Sequence, residues 1–318
     1  MKTVLRAAAI GLALGAATVF AADYPSRPVR MVVPFAPGGG LDILARLLGQ
    51  KFTPALGQQF IIDNRPGAGG NIGADIVAKA PPDGHTLLLT STSLAVNRTL
   101  YRKLPYDAVR DFAPVSLVAS VPLVLVVNPS GPKNLPELLA ALKAKPDAYN
   151  FSSNGAGTTS HLSGELLNLL AHVHMTHVPY KGGVPATAAV ATGEAFLLFT
   201  TIPSAMPQIR AGKVRALAVS TAEASQALPG VAPMKSALPG FETDNWYALF
   251  VPAGTPAAIV NRLHAETVRA LQAQDVREFL GRDGAEPIGS TPERMKRYFA
   301  AEAAKYAKLV AASKATAE

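Results

Sequence analysis

Between its prolines and glycines, this chain alternates between two hydrophobic patterns. Short runs rich in β-branched residues, such as residues 29–35, are followed by segments with apolar residues at helical spacing, such as residues 41–52. Strands that alternate with helices are typical of an α/β fold with largely parallel sheets. The chain has 318 residues, of which 49% are hydrophobic and 16% charged, so it can build a large core or two domains. Disorder and a coiled coil are both excluded by this composition.

A unit made of a strand, a glycine-rich turn and a helix occurs twice in the sequence. The first copy is followed, about 120 residues downstream, by a strand at 149–152, a loop at 153–160 and a helix at 161–171. The remaining pattern predicts strands at residues 59–63, 86–90, 122–128, 176–180, 195–200, 214–220 and 246–251, and helices at residues 72–80 and 134–145 and from Pro256 and Pro292 onward. Two such units predict two lobes, with the chain crossing near Pro122 and returning near Trp246.

The first 22 residues have the pattern of a secretory signal. Lys2 and Arg6 precede an apolar stretch at residues 7–22, which ends in small residues suited to cleavage near Ala21 or Ala22. No later stretch reaches the roughly 20 apolar residues that a membrane span needs. We therefore expect an exported, soluble mature protein. The chain has no cysteine, which excludes disulfides and cysteine-based metal or nucleophile sites.

The charge pattern suits an acidic ligand, either a small molecule or a polyanion. The formal net charge is +8, and the basic residues are spread along the chain without a basic block. A net positive protein attracts anions, but a nucleic-acid site needs a concentrated basic surface. We therefore expect no nucleic-acid partner.

The first glycine-rich turn is a candidate anion site. In Pro37-Gly38-Gly39-Gly40-Leu41-Asp42, glycines let the backbone approach a ligand, and the following helix directs free N–H groups and a positive dipole end to the same place. Gly39 is expected to need a positive φ, so that Gly39→Val would abolish binding in a folded protein. The alternative interpretation is a tight turn in which Asp42 only complements the helix N-terminus.

The second turn, at residues 154–160, repeats this arrangement. Thr158, Thr159 and Ser160 add hydroxyls that either cap the helix or bind a ligand oxygen. The turn resembles a dinucleotide fingerprint, but its third glycine is replaced by Ser160 and no acidic residue follows about 20 positions on. A nucleotide cofactor is therefore not expected. A third glycine-rich loop begins at Arg65, which is either a carboxylate clamp or a solvated side chain.

The sequence contains no recognisable catalytic or metal-binding pattern. His172, His174 and His177 lie across a helix end and the next strand, so their rings should diverge. The nucleophile elbow, the helical S-x-x-K and the H-E-x-x-H patterns are missing. An enzyme would have to use an unrecognised base, for which His161 and Asp42 are the candidates. We therefore predict a binding protein that uses no cofactor or metal.

Ordered motifs across almost the whole mature chain resemble a known family. They are Tyr24-Pro25, Val32 to Phe35, the P-G-G-G-x-D at 37–42, Asn64 to Gly70, Pro82-Asp83-Gly84, Asp111 to Val115, Gly155-Ala156-Gly157 with His161-Leu162, Val178 to Gly182, Ile202 to Ala205, Lys213 to Val219, and Trp246 through Gly254-Thr255-Pro256. Together these motifs resemble the extracytoplasmic solute receptors of tripartite tricarboxylate transporters, the Bug receptors. The resemblance implies a type II periplasmic binding protein fold, in which two α/β lobes joined by two crossing strands close on a small organic carboxylate.

The resemblance also implies lobe boundaries and ligand contacts. Lobe 1 would comprise residues 23–122 plus 247–318, and lobe 2 residues 123–246. The implied ligand-binding residues are Phe35, Gly38, Gly39, Gly40, Asp42, Gly69, Ser91, Ser93, Asn154, Gly157, Thr158, Thr159 and Thr200. The family usually has acidic residues around the strand at 195–200, but Ala195-Phe196 and Thr200-Thr201 stand in this chain. With few acids available to pair an ammonium group, we predict a preference for a non-amino organic acid.

The resemblance implies a monomeric receptor that delivers its ligand to membrane permease subunits. Two alternatives remain open from the sequence. One is a periplasmic sensor that signals through a partner protein, and the other is an exported enzyme with an unrecognised site.

Overall fold

A computed structural model describes residues 24–282 and 284–313 of the chain. The predicted signal segment lies outside the described residues. Within the described part, the helices are all too short or too polar to span a bilayer.

The described chain alternates strands and helices as the sequence predicts. In chain order the elements are β1 (Val29–Val33), α1 (Gly40–Leu56), β2 (Phe60–Asn64), α2 (Asn71–Ala78), β3 (Thr86–Ser91), α3 (Ser93–Leu100), β4 (Phe112–Val121), β5 (Leu123–Val127), α4 (Leu135–Ala144), β6 (Asn150–Ser153), α5 (Thr159–Ala171), β7 (Thr176–Pro179), α6 (Gly183–Thr192), β8 (Leu197–Thr201), α7 (Ile202–Arg210), β9 (Arg215–Val219), β10 (Asn245–Pro252), α8 (Ala257–Leu271), α9 (Gln274–Arg282), β11 (Glu286–Pro287) and α10 (Pro292–Ser313). Short 3₁₀ turns lie at Ala68–Gly70 and Met234–Ser236.

Two separate sheets form the centres of two lobes. The first has the strand order β11-β4-β10-β3-β1-β2, and the second has the order β7-β6-β8-β5-β9. Strand β1 is parallel to β2 and β3, and β6 is parallel to β7 and β8. Strands β10 and β5 run antiparallel to their neighbours. This mixed α/β architecture confirms the predicted fold class.

The chain changes sheet at two places. Strand β4 ends at Val121 in the first sheet, and β5 begins at Leu123 in the second, with only Pro122 between them. After β9 the chain returns from the second sheet to the first, where it forms β10. Asn245 at the start of β10 pairs with Val121 at the end of β4. The two crossings therefore lie side by side. The lobe boundaries inferred from the resemblance, which put Asn245 in lobe 2, remain a prediction. When each lobe is defined by its sheet, Asn245 of β10 belongs to the first lobe.

The last helix joins the two lobes. Tyr306 and Val310 of α10 pack with Val96 and Leu100 of α3 and with Leu162 of α5 in one buried cluster. Tyr306 also donates a hydrogen bond to the backbone oxygen of Asp244, just before β10, at 2.9 Å. This small core lies next to the crossings, while larger apolar clusters line the faces of each sheet.

The structure contains three helices near the cleft that the sequence pattern did not predict. These are α3, α6 and α7. Helix α7 has proline in its first turn and Pro207 in its interior, and α6 consists mostly of small residues after Pro185. Proline is compatible with a first helical turn, where its missing N–H has no intrahelical partner. Because proline also marks breaks in secondary structure, the sequence pattern does not reveal the helix start of α7.

Candidate functional site

A pocket lies between the lobes, where the carboxyl ends of parallel strands in both sheets meet. Including open solvent at its mouth, it contains about 470 Å³ of space free of atoms. Residues of both lobes line it, including Phe35 after β1, Ser91 at the end of β3 and Thr201 at the end of β8. Such crevices outside the carboxyl ends of strands are where α/β proteins bind ligands. Every side chain that lines this pocket is uncharged.

Four helices begin at the pocket wall. Helix α1 contributes Gly40 from the first lobe, and α5, α6 and α7 contribute Thr159, Gly183 and Ser204 from the second. The first-turn N–H groups of a helix have no intrahelical partner, and the helix dipole is positive at that end. Four such ends create a positive potential in the pocket without a cationic side chain. An anion is the ligand that this potential favours.

Several hydroxyls at the pocket already donate to protein groups. Thr158 caps α5 by accepting from the His161 N–H at 3.3 Å, and its own hydroxyl donates to the Gly155 carbonyl at 2.7 Å. Ser160 donates to the Phe199 carbonyl. The hydroxyls of Thr201 and Ser204 hydrogen-bond to each other at 2.9 Å. The donors left for a ligand at this wall are therefore mainly backbone N–H groups.

Two asparagine amides face the same pocket, one from each lobe. The Oδ1 atom of Asn154 accepts from the Thr200 hydroxyl at 3.0 Å. The Oδ1 atom of Asn245 accepts from Thr92 at 3.3 Å and from Thr159 at 3.2 Å. Because the Asn245 oxygen already accepts two hydrogen bonds, its NH₂ group is the end of this amide that remains for a ligand.

Seven of the predicted ligand-binding residues line this pocket, namely Phe35, Gly39, Gly40, Ser91, Asn154, Thr158 and Thr159. Gly69 lines an adjoining cavity, which shares Phe35 and Asn154 with the pocket. The other five, namely Gly38, Asp42, Ser93, Gly157 and Thr200, line neither cavity. Among these, Ser93 lies 3.3 Å from the Ser91 hydroxyl, and Gly157 packs against Asn97 of the first lobe.

Asp42 is buried in a local network rather than directed into the pocket. Its carboxylate accepts from the Gly38 N–H at 2.9 Å, from Asn64 at 3.0 Å and from Arg46, with which it also forms an ion pair. Burial alone would raise the pKa of Asp42, but the hydrogen bonds from Arg46, Gly38 and Asn64 hold this pKa below its usual range. The structure thus supports the alternative role of Asp42, which is to stabilise the turn before α1.

The expected positive φ of Gly39 is wrong. Gly39 has φ −79° and ψ 165°, which is extended backbone that any residue adopts, and an added Cβ would meet the Ser204 hydroxyl only at 3.6 Å. The positive φ of the turn is at Gly38, at 85°. The sequence of consecutive glycines does not show which of them adopts the positive φ. In the structure this residue is Gly38, whose N–H donates to the Asp42 carboxylate.

Other lining residues were missed by the sequence reasoning. They are Ala36, Leu41, Leu123, Ser160, Gly182, Gly183, Thr201, Ser204, Asn245 and Tyr247. Gly182 and Ser204 fall in motifs that carried the family resemblance, and Ser160 was recognised only as a helix cap. Asn245 and Tyr247 flank Trp246, whose strand was predicted, but no sequence pattern places this strand beside the pocket.

Two histidines, His161 and His177, pack together behind the second glycine-rich turn. The rings of His161 and His177 stack at 3.8 Å, and Nδ1 of His161 accepts from the Gly157 N–H at 3.2 Å. Burial and the nearby His161 ring lower the pKa of His177 to about 3, so this ring is neutral at ordinary pH. His172 ends α5, and exposed His174 pairs with Asp147. The three histidines considered as metal ligands therefore point to different surroundings.

Comparison with known proteins places this architecture among solute receptors. Residues 44–314 match the family model described as tripartite tricarboxylate transporter family receptor. A protein encoded between tcbD and tcbE in Pseudomonas sp. strain P51 is 42% identical over 290 residues, which are 90% of this chain and 86% of that protein. The protein BugT of Bordetella pertussis is 39% identical over 299 residues, which are 93% of this chain and 92% of BugT.

Solved structures share the same fold across almost the whole chain. An R. palustris protein with adipate superposes with a TM-score of 0.89 at 37% identity, covering 92% of this chain and 99% of that one. MatC from Rhodopseudomonas palustris with bound malate has a TM-score of 0.85 at 36% identity, covering 90% of this chain and 100% of MatC. The ligands of both neighbours are organic carboxylates.

Proposed function

The chain belongs to the family of tripartite tricarboxylate transporter receptors, and from this membership we propose that it captures a small organic carboxylate between its two lobes. The observation that carries the proposal is the convergence of four helix N-termini on a pocket whose lining has no charged side chain. A carboxylate is stabilised there by N–H donors and dipoles that are already oriented. The adipate and malate of the two neighbours support this class of ligand.

The pocket favours a non-amino acid over an α-amino acid. An ammonium group buried in a closed cleft needs a carboxylate or several acceptors, and none of the described residues that line this pocket has a carboxylate. The predicted candidate, Asp42, is held by Arg46, Gly38 and Asn64. The hydrogen-bond donors that remain in the pocket suit a ligand with a carboxylate at one end. The other end of this ligand would be either uncharged or a second carboxylate.

We further propose that the protein works in the periplasm as a monomer and delivers its ligand to membrane permease subunits. The family supports this role, since its members are receptors of tripartite transporters. The signal pattern of residues 1–22 supports export. Because the matched family and neighbours are solute-binding proteins, no catalytic step is assigned to the pocket.

A thermal-shift screen followed by calorimetry tests the ligand class. The panel contains adipate, malate, and the matched pair succinate and aspartate. A ligand at 100 times its dissociation constant should add about 2.7 kcal/mol to the free energy of unfolding. We expect at least one non-amino acid to bind, and succinate to bind more tightly than aspartate. Tenfold tighter binding of aspartate would contradict the preference, and failure of every carboxylate would contradict the proposed function.

The variant Ser204→Asp tests whether the helix starts hold the anion. Ser204 lines the pocket in the first turn of α7, so a carboxylate placed there competes with the ligand for the same positive potential. We expect the dissociation constant of the bound acid to rise at least tenfold. Ser236→Asp adds the same charge at an exposed serine outside the pocket and should leave the affinity unchanged. Equal affinities of the two variants would refute the site.

A further inference from the structure

Asn245 lies where the second crossing enters the first sheet. It is the first residue of β10, and it pairs with Val121, the last residue of β4 before the first crossing. Its side chain is buried, with 6% of the residue exposed, and it lines the ligand pocket. One residue is therefore next to both crossings and to the pocket.

The Asn245 amide connects the two lobes. Its Oδ1 atom accepts from Thr92, which follows β3 of the first sheet, and from Thr159, the first residue of α5 in the second lobe. The Thr92 hydroxyl also accepts from the N–H of Trp246 at 3.0 Å, which fixes it against β10. Thr92 and Asn245 thus form a unit in the first lobe, and the bond from Thr159 joins the second lobe to it.

The orientation of the amide follows from these bonds. Two hydroxyls that donate to Oδ1 leave the NH₂ group as the donor for other partners. The residue lines a pocket that favours anions, and an amide NH₂ is a suitable donor to a carboxylate oxygen. Thr92, by contrast, is fully buried and does not line the pocket.

We propose that Asn245 couples ligand binding to lobe closure, donating to the ligand through its NH₂ group while its oxygen holds Thr159 of the closing lobe, and that Thr92 is its positioning residue. The inference rests on the proposed carboxylate-binding function. When the lobes separate, the bond from Thr159 breaks and the amide loses a restraint on its orientation. The ligand and the closed lobe therefore stabilise the same orientation of the amide. Ligand binding favours closure, and closure favours ligand binding.

The pair Thr92→Val and Thr92→Ser tests this coupling. Valine has nearly the shape of threonine but cannot bond Asn245, whereas serine keeps the hydroxyl. With adipate and malate as probes, we expect Thr92→Val to weaken binding about tenfold and Thr92→Ser to restore it to within about twofold, although neither change touches the pocket. Thermal melts establish that both variants are folded. Wild-type affinity in folded Thr92→Val would overturn the proposal.

Asn245→Asp tests the donor directly. Its carboxylate still accepts from Thr92 and Thr159, but it replaces the NH₂ donor with a negative charge. We expect binding of adipate or malate to fall at least 100-fold at pH 8. Asn168→Asp is the control, since Asn168 is a buried asparagine of α5 outside the pocket, and its affinity should match the wild type. A folded Asn245→Asp variant with wild-type affinity would overturn the ligand contact.

Measurements without ligand separate this inference from the proposed function. Trp246 is the single tryptophan of the chain, so its emission reports on the strand that carries Asn245. If neither probe binds the wild type, the proposed function fails for these acids, and the coupling is then judged by small-angle scattering. We expect Thr92→Val to populate the open form more than the wild type and Thr92→Ser do, with a larger radius of gyration and a changed Trp246 emission. Identical scattering and emission in all three proteins would overturn the coupling.

Discussion

Asp244 is the last residue of the second crossing, directly before β10, and it contacts β4 close to the first crossing. Both oxygens of its carboxylate accept from the Ser120 hydroxyl of β4, at 2.9 and 3.0 Å. Burial raises the pKa of Asp244 to about 6, the hydrogen bond from Ser120 opposes this rise, and the nearby Glu302 carboxylate adds to it. A buried carboxylate with this pKa destabilises the folded state at neutral pH.

Asp244→Asn should therefore stabilise the protein at pH 7.5. The folded state binds the Asp244 proton more tightly than the unfolded state, so the wild type gains stability as the pH falls from above 6 to about 4. The variant lacks this gain, and its advantage of roughly 2 kcal/mol at pH 7.5 should vanish near pH 4. Denaturant unfolding at both pH values measures the difference. A variant no more stable than the wild type at pH 7.5 would contradict this prediction.

At the scale of single elements, the start of α5 is capped by Thr158 and also lines the pocket. Its cap, Thr158, lines the pocket, whereas the cap of α4, Asn134, accepts from the Glu137 N–H at 2.9 Å in an exposed position. Loss of either cap leaves one backbone N–H group in the first turn of its helix without a hydrogen-bond acceptor. Only one of these helix starts faces the proposed ligand.

Thr158→Ala and Asn134→Ala form a matched pair of cap deletions. Each should lower the free energy of unfolding by about 0.5–2 kcal/mol. Thr158→Ala should also weaken carboxylate binding, because the first turn that supplies the N–H donors becomes less ordered. Thermal melts and calorimetry measure the two effects. Equal affinity in both variants would mean that α5 does not contact the ligand.

At the scale of the whole molecule, the lobes meet at the mouth of the cleft. The Ala36 N–H donates to the Lys181 carbonyl at 3.3 Å, and Tyr101 reaches the Ala156 carbonyl at 3.5 Å. Gly69 approaches so closely that an added Cβ would lie 1.8 Å from the Ala156 carbonyl oxygen. A side chain at this position is incompatible with the closed arrangement.

Gly69→Ala should therefore weaken ligand binding at least tenfold by opposing closure. Scattering should show that the variant stays open at ligand concentrations that close the wild type. Gly69 has a positive φ of 61°, so the variant also carries backbone strain. Gly193→Ala controls for that strain, because Gly193 has φ 81° at the end of α6 and no neighbouring atom within 4 Å of an added Cβ. Closure of Gly69→Ala with wild-type affinity would contradict the close contact.

The sequence alone was sufficient for the α/β class, for most strands, and for two of the helix starts at the pocket. These features depend on local physics: side-chain periodicity, caps such as Asn134, and turns that need glycine. The ordered motifs added the family, because they resemble its members along the whole mature chain. Local patterns also located Phe35, Asn154 and Thr158 near the ends of strands, where a ligand is expected.

Only the tertiary structure determined which groups share the pocket. The order of strands places Asn245 and Tyr247 of β10 beside helix starts that lie far away in sequence, and α6 and α7 join them although proline marks their first turns as breaks. The network around Asp42 removes this residue from the pocket lining and assigns the positive φ to Gly38. Such contacts depend on the relative position of two sheets, which no local spacing encodes, because periodicity defines the face of an element but not its neighbour.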